Sequence, residues 1–383
     1  MKKSVLFLID ALGCGGAEKS LVALLNRLDY SRLDVDLMVV RGGGMHERFV
    51  PAAVHRIPAP ARRSRGRKLR DLLFSATLRL LRLLHVRRHG AEVHWRCLGP
   101  SFLPPEKEYD FAVAYQQGFP TYYVAEKVRA GKKLAWINMD LEPAGYRAGF
   151  NRPFYRRMDA ICVVSDAIRE KLTRTGFLDG DLPLHTVLDI LDERMIREMA
   201  AEPVGDMPHS AAGLRLVSVG RMTPQKNYPL AVETARRLRD AGLDFIWYFI
   251  GTGSDYPRVS ALVKDYGLSE NIRMPGMREN PYPYMAGCDI YVQTSAAEGF
   301  CLTLSEAKIL GKPVVSTDFP SALDQIRDGY NGLIARMTPE SVAEKILLLE
   351  RDPGLRRRIE QNVAAERNTT AETEIVKVNA LLQ

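Results

Sequence analysis

Residues 290–317 read IYVQTSAAEGFCLTLSEAKILGKPVVST. Ile290–Gln293 is a short apolar run rich in β-formers, a polar loop follows, the pattern turns helical near Leu302, and a second apolar run, Val314–Ser316, comes after Gly311-Lys312-Pro313. Strand, loop, helix, strand is the unit from which parallel sheets are built. Working outward, the alternation recurs along the chain. Before residue 190 the expected strands are Val5–Asp10, Val35–Val40, Phe111–Tyr115, Leu134–Asn138, Ile161–Val164 and Leu184–Val187, with helical segments such as Glu18–Leu28 and Asp166–Thr173. The pattern pauses over Glu202–Gly213 and restarts with Leu214–Val219, Phe245–Ile250 and Ile272–Met274. Alternation run twice predicts an α/β chain of two doubly wound, Rossmann-like domains.

The expected division is 1–190, then 191–360, with a final segment 361–383 packing back across the first domain and a linker near Asp189–Arg194. A chain of 383 residues with 46% apolar composition has length and core enough for two such domains. In doubly wound sheets ligands bind at the carboxyl ends of strands, so the expected site is a cleft between two facing sheets, and the residues just after strands are the ones to read.

Composition narrows the class. The five cysteines, Cys14, Cys97, Cys162, Cys288 and Cys301, are odd in number and include no CxxC pair, as expected of free thiols in a reducing compartment. The opening MKKSVLFLIDALG imitates a signal peptide, but Asp10 breaks its apolar run and a glycine turn follows, so it reads as a first buried strand. No window is apolar for the 18 or so residues a bilayer span needs. The expected location is therefore cytoplasmic. The formal charge of +8 is uneven, since residues 1–190 hold 31 Lys and Arg against 20 Asp and Glu. An anionic partner surface or a plain solvated basic face both accommodate that excess.

Three loops after strands carry chemistry. Gly13-Cys14-Gly15-Gly16-Ala17-Glu18-Lys19 brings backbone N–H groups to a helix start, a phosphate-binding geometry. It fails the dinucleotide fingerprint, because Glu18 holds the third glycine position and Val40-Arg41 closes the second strand without an acid. Gly220-Arg221-Met222-Thr223-Pro224-Gln225-Lys226 sets two cations five residues apart, able to neutralise a departing diphosphate in place of a divalent metal. Glu298 and Glu306 are separated by seven residues. On one helix they would face different ways, so a loop that becomes a helix near Leu302 is needed to turn both toward a ligand. Carboxylates accept pairs of hydrogen bonds from sugar hydroxyls. A structural glycine turn, two solvated cations and an exposed helical glutamate remain alternatives for the three loops.

Together these segments resemble the large retaining glycosyltransferase clan of GT-B fold with the Glu-x7-Glu signature. The resemblance covers nearly the whole chain: the GGAE loop, the Gly-Arg-x4-Lys turn, Phe249-Ile250-Gly251-Thr252-Gly253, Glu298-Gly299-Phe300 and Gly311-Lys312-Pro313-Val314-Val315. It implies two Rossmann-like domains facing across a cleft, with the nucleotide-sugar donor on the second and the acceptor on the first. Arg221 and Lys226 would hold the diphosphate, Glu306 the ribose, and Glu298 the transferred sugar, with Glu298, Arg221 and Lys226 as the catalytic set. The backbone at Phe300, Cys301 and Leu302 would lie near sugar and phosphate, Gly15 and Gly16 near the diphosphate, and Met277 and Arg278 near the base. The cations at 221 and 226 are expected to face the carboxylate pair across an interdomain gap. The donor implied is a UDP-sugar, transferred with retention and without metal or other cofactor. Asp34-Val35-Asp36 and Asp179-Gly180-Asp181 match the metal-binding Asp-x-Asp pattern formally but read as a strand start and a turn.

The chain departs from the clan twice. Asn138, in Trp136-Ile137-Asn138-Met139-Asp140, stands where many relatives carry histidine, which leaves Asn138 and Asp140 as acceptor-side candidates without imidazole chemistry. Leu188-Asp189-Ile190-Leu191-Asp192 replaces the usual Asn-Pro linker. A catalytically silent GT-B subunit, partner to another transferase, is the alternative that Asn138 invites.

Residues 62–89 hold ten Lys or Arg and one acid, Asp71. Leu69, Leu72, Leu73, Ala76, Leu80, Leu83 and Leu84 recur there at helical spacing, with a second stripe of Phe74, Leu78 and Leu81. One face is expected to dock on the first sheet while the cations and remaining leucines meet an anionic membrane, peripherally and on its inner face. Nucleic acid fits less well, for want of aromatic interleaving and a reading module. The expected partners are therefore a nucleotide-sugar, a lipid-linked or saccharide acceptor and an anionic membrane surface.

Overall fold

The computed structural model describes residues 2–13, 15–64, 66–83, 88–207, 213–366 and 370–383. Cys14 of the glycine loop, and residues 65 and 84–87 of the basic stretch, lie outside them. The chain divides into two units, Met1–Leu191 with Thr370–Gln383, and Asp192–Thr369.

The first unit is built on a seven-stranded sheet: β1 Lys3–Ala11, β2 Leu33–Arg41, β3 His55–Ile57, β4 Tyr109–Ala114, β5 Ala130–Ile137, β6 Ala160–Val163 and β7 Leu184–Thr186. Their order across the sheet is β3-β2-β1-β4-β5-β6-β7, and every pairing is parallel. Val5 through Ile9 are entirely buried. Both faces of β1 are buried, and that is why its sequence is a continuous apolar run rather than an alternating one. The order reverses at β1 and β4, leaving a crevice at their carboxyl ends.

The second unit repeats the plan with six parallel strands: β8 Leu214–Val219, β9 Phe245–Ile250, β10 Ile272–Gly276, β11 Ile290–Gln293, β12 Val314–Thr317 and β13 Leu333–Ala335. Their order is β10-β9-β8-β11-β12-β13, so the reversal falls between β8 and β11. Leu216, Trp247, Phe249, Ile290 and Val292 centre its core. The loops after β8 and β11 therefore flank a switch point, and they are the two that carry Arg221, Lys226 and Glu298.

The final segment is not one body. Helix Pro353–Ala365 belongs to the second unit, with Ile359 and Val363 in that core, whereas helix Thr370–Leu381 completes the first unit. Glu374, buried on the latter helix, accepts the Leu188 N–H at 2.9 Å and the Lys377 ammonium at 2.8 Å, and Lys377 donates to the Thr186 carbonyl at 3.2 Å. The stretch after β7 is held by these bonds and by the Ile190 N–H donating to Ser20 Oγ at 3.2 Å.

The Asp-x-Asp look-alikes are occupied by ion pairs. Lys107 bridges Asp34 and Asp36 at 3.0 and 3.1 Å, and Asp179 pairs with Arg156 at 2.6 Å. Asp34 and Asp36 also lie at the amino end of β2, away from the carboxyl ends where ligands bind.

The basic stretch forms a helix over Arg67–Leu83, and of its two apolar stripes the smaller one packs. Phe74, Leu78 and Leu81 lie on the half-buried side, where the Phe74 ring meets His94 edge-on at 5.4 Å, and Arg62 pairs with Asp71 at 2.9 Å. The larger stripe of Leu69, Leu72, Leu73, Leu80 and Leu83 is exposed, from 54% at Leu73 to 76% at Leu83. The second stripe carries an aromatic ring that fills the gap against helix Gly90–Leu98, so it takes the docking role. Among the described residues no helix is long and apolar enough to cross a membrane.

Candidate functional site

All four charged candidates, Arg221, Lys226, Glu298 and Glu306, belong to the second unit. The expectation that the cations face the carboxylates across an interdomain gap is thus corrected: they come from adjacent loops at one sheet edge. The β8 loop passes through a single turn at Pro224–Lys226 and reaches Asn227 in a left-handed conformation, φ 49°. It is stitched to the β11 loop by three bonds: Ala296 N–H to the Gln225 carbonyl at 2.8 Å, Gln225 Nε2 to the Ala297 carbonyl at 2.7 Å, and Thr294 Oγ1 to the Lys226 carbonyl at 3.2 Å.

On its other side the β8 loop lies against the loop after β9, and Gly251 permits that approach. Its φ is +143°, and a Cβ there would fall 2.0 Å from the Gly220 carbonyl oxygen. With backbone this close, Gly220 N–H reaches the Ile250 carbonyl at 3.0 Å and Met222 N–H the Thr252 carbonyl at 2.9 Å. Thus the glycines of the Phe249–Gly253 motif fix the turn that carries the cations.

Lys226 Nζ and Glu298 Oε1 meet at 2.7 Å, both largely shielded from water. Burial acts to lower the Lys226 pKa, but the neighbouring carboxylate outweighs it and raises the ammonium above the ordinary lysine range. Glu298 Oε1 also accepts from Ser295 Oγ at 2.6 Å. Arg221 is exposed on the same loop as Lys226. The resulting array is one paired cation, one exposed cation and one oriented carboxylate at the mouth of the switch point.

The chain becomes helical at Leu302, running to Ile309. Cys301 caps this helix in a left-handed conformation, φ 62°, unusual for a residue with a side chain. Burial and, secondarily, the Glu298 carboxylate push its thiol up to about 12, so it stays neutral beside Lys226. Glu306 lies past the first turn and is fully buried, its Oε1 accepting from Tyr282 OH at 2.8 Å. An exposed helical glutamate is therefore not what position 306 holds. The Phe300 carbonyl accepts a hydrogen bond from Gln325 Nε2, and Leu302 is buried at the helix start.

The base-side candidates divide. Met277 is 59% exposed on the loop after β10. Arg278 is committed elsewhere: it pairs with Asp206 at 2.7 Å and donates to Tyr284 OH at 3.0 Å and the Pro275 carbonyl at 2.6 Å. It clamps the segment Glu202–Met207, which the sequence showed only as a pause.

In the first unit, Gly15 precedes helix Gly16–Leu25, and the Glu18 carboxylate folds back to where a Gly15 Cβ would stand. Asn138 is used structurally, its Nδ2 donating to the Tyr115 carbonyl at 2.9 Å and its N–H to Gln117 Oε1 at 3.1 Å, while Asp140 is ion-paired with Lys171. Asn138 thus braces the ends of β4 and β5, and Asp140 ties the loop after β5 to helix Asp166–Arg174. Among the described residues no group of three or more His, Cys, Asp or Glu is placed to hold a metal ion.

Residues 211–366 match the family described as glycosyl transferases group 1. Over those residues the chain is similar to that family, and the stretch holds Arg221, Lys226, Glu298 and Glu306, the whole charged array. The chain is 29% identical over 145 residues to the lipopolysaccharide core biosynthesis glycosyltransferase LpsE of Rhizobium meliloti, covering 38% of this chain and 42% of that one. It is 32% identical over 127 residues to a Campylobacter jejuni N-acetylgalactosamine-N,N'-diacetylbacillosaminyl-diphospho-undecaprenol 4-alpha-N-acetylgalactosaminyltransferase, covering 33% and 34%. The chain thus spans about two fifths or less of the length of these curated relatives. Solved structures extend the likeness beyond that stretch. Anabaena HepE, crystallised with UDP and glucose, superposes with a TM-score of 0.71 at 17% identity over 99% of this chain and 98% of that one. A glycosyltransferase from Rickettsia africae gives 0.66 at 15% identity over 100% and 98%. The fold is GT-B.

Sequence reading did not find Gln293, Ser295, Thr303 or Tyr282, the polar side chains that support Glu298 and Glu306. Their one visible signal was polarity within a strand end and a helix that ought to be apolar.

Proposed function

We propose that this protein transfers a hexosyl or N-acetylhexosaminyl group from a nucleotide-sugar, expected to be a UDP-sugar, to a lipid-linked or polysaccharide acceptor, with retention and without a metal ion. The observation that carries this reading is the contact between Lys226 and Glu298 at the β8–β11 switch point, where a cation for the leaving group and a carboxylate for the sugar stand side by side. As the bond from the anomeric carbon to the diphosphate oxygen breaks, the electron pair leaves with the nucleotide, and Arg221 and Lys226 neutralise the charge that builds there. The acceptor oxygen bonds to the same face of the anomeric carbon, and its proton passes to the departing phosphate oxygen. Glu306, held by Tyr282, takes the ribose hydroxyls. The names of relatives acting on undecaprenol-linked sugars and on lipopolysaccharide core support the acceptor class.

The exposed stripe of Leu69, Leu72, Leu73, Leu80 and Leu83, bordered by Lys68, Arg70 and Arg79, would lay the helix on an anionic membrane surface at the inner face, bringing the chain to such an acceptor. Sedimentation with anionic vesicles should weaken at high salt, and equal binding to neutral vesicles counts against this placement.

A screen of nucleotide-sugars, read by nucleotide release, tests the activity. Release from at least one donor, sharply reduced by Lys226→Ala and by Glu306→Ala with the fold intact, is the expected result. No release from any donor sinks the reading in favour of a silent subunit, and full activity in both variants removes the site assignment.

A further inference from the structure

We infer that Gln293 and Ser295 are positioning residues that hold Glu298 through a one-way chain of hydrogen bonds. The chain runs from Tyr291 and Thr303 through the Gln293 amide and the Ser295 hydroxyl to one oxygen of the carboxylate. The inference rests on the proposed activity and deepens it, because it concerns how the sugar-side carboxylate is aimed.

The direction of every bond follows from chemistry. Ser295 Oγ lies 2.6 Å from Glu298 Oε1, and an ionised carboxylate only accepts, so the serine must donate to it. With its one proton spent, Ser295 Oγ must accept from the group 2.6 Å away on its other side, which fixes that group as Gln293 Nε2 rather than its oxygen. Gln293 Oε1 is thereby turned toward Tyr291 OH at 2.8 Å and Thr303 Oγ1 at 3.3 Å, two hydroxyls that can both donate. The reversed amide would put two acceptors 2.6 Å apart at one end of the serine or the other, so the chain reads only one way.

Position makes the arrangement consequential. Tyr291 and Ser295 are fully buried and Gln293 nearly so, where a misdirected polar group has no water to fall back on. The backbone is fixed too, since Thr317 Oγ1 donates to the Ser295 carbonyl at 2.7 Å. Glu298 Oε1 is engaged twice, by Ser295 and by Lys226. Among the described residues no hydrogen bond goes to Oε2, which makes it the oxygen that meets a sugar hydroxyl. Deleting the serine's proton leaves Lys226 as the sole tether of Oε1, and the carboxylate gains a rotation about its terminal torsion that Ser295 forbids.

Ser295→Ala removes the donor. Gln293→Glu keeps the shape of the side chain but replaces the amide donor with an acceptor, drawing the serine proton away from Glu298. Steady-state kcat/KM for sugar release should be measured for both, and for the double variant, using the UDP-hexoses and UDP-N-acetylhexosamines that the wild type turns over. UDP Kd is measured by calorimetry and folding by thermal melting. Each single variant should lose about tenfold in kcat/KM, the scale of one hydrogen bond to a charged group. UDP Kd should change less than about twofold, and the double variant should be no worse than Ser295→Ala, since Gln293 acts only through the serine. Losses that add in the double variant, UDP affinity falling in step with kcat/KM, or wild-type kcat/KM in either variant overturns the inference. Should Ser295→Ala fail to fold, the isosteric Gln293→Glu decides by the same split between kcat/KM and UDP Kd. A wild type that turns over no donor sinks the proposed activity and this inference with it, and the wild-type lane alone distinguishes that outcome.

Discussion

Replacing Glu298 by glutamine should make the protein bind UDP more tightly while destroying its turnover. The ammonium of Lys226 is occupied by the carboxylate 2.7 Å away. Two unit charges at that distance attract by about 6 kcal/mol at an effective dielectric of about 20, a gross figure that desolvation of both groups largely offsets. What a pyrophosphate must overcome is the difference between a charged and a neutral partner for Lys226. Hydrogen bonds to charged groups contribute about 1.5–3 kcal/mol and neutral ones about 0.5–1.5, so Glu298→Gln relieves roughly 1.4 kcal/mol, a factor of ten in Kd. Removing a negative charge beside the diphosphate acts in the same direction. Titration calorimetry of UDP into both proteins at equal ionic strength measures it, with nucleotide release from a donor run in parallel. Unchanged or weaker UDP binding by Glu298→Gln would refute the claim that Lys226 exchanges its carboxylate for phosphate.

Two buried groups in the first unit titrate against each other. His46, fully buried with neither ring nitrogen hydrogen-bonded to any described residue, is lowered to about 4 chiefly by burial, with the charges of Lys19 and Arg48 adding. Between that value and about 6.5 only the unfolded chain carries the proton, so this group makes stability rise with pH, by roughly 3 kcal/mol in all. Asp189 is raised to about 6 by burial, so from its unfolded value up to about 6 only the folded chain is protonated and stability falls with pH. His46→Phe should therefore show stability falling across pH 4–6 and Asp189→Asn stability rising across it, in denaturant melts over that range. Equal slopes in the two variants would exclude this opposition. Gly251→Ala, with its strained φ and a Cβ 2.0 Å from the Gly220 carbonyl, should lose upward of about 3 kcal/mol, seen as a fall in melting temperature and in UDP affinity together. Glu374→Leu strands the Leu188 N–H and should lower stability by about 1–3 kcal/mol, read by proteolysis after Leu188 becoming faster.

The strands were legible because a parallel sheet covered on both faces needs unbroken apolar runs, and LFLI in β1 or FIWYFI in β9 read the same in any surroundings. Of the three-residue strands, β3 and β13 carry too little pattern to separate from loop, while β7 showed itself through the run Leu184–Val187. The start of the helix at Leu302 was deducible from the need to orient two glutamates seven residues apart. The exposed stripe on Arg67–Leu83 was not, since two apolar stripes compete for one docking face and the choice depends on which rings, here Phe74 and His94, fit together. Arg278 shows another limit. Its place after β10 suggested a ligand contact, yet its partner Asp206 lies 72 positions earlier, a separation that no local pattern encodes. Lys226 and Glu298 were each visible as charges after strands, whereas their direct contact depends on β8 and β11 lying side by side.

Helix Thr370–Leu381 ties Leu188 and Thr186 to residues made nearly two hundred positions later. A ribosome delivers the chain in order, so the sheet of the first unit emerges long before Glu374 and Lys377 exist to hold the stretch after β7. The domain that holds Lys226 and Glu298 can be complete while its predecessor still waits for the last helix. In the living chain the second unit can thus be finished before the first.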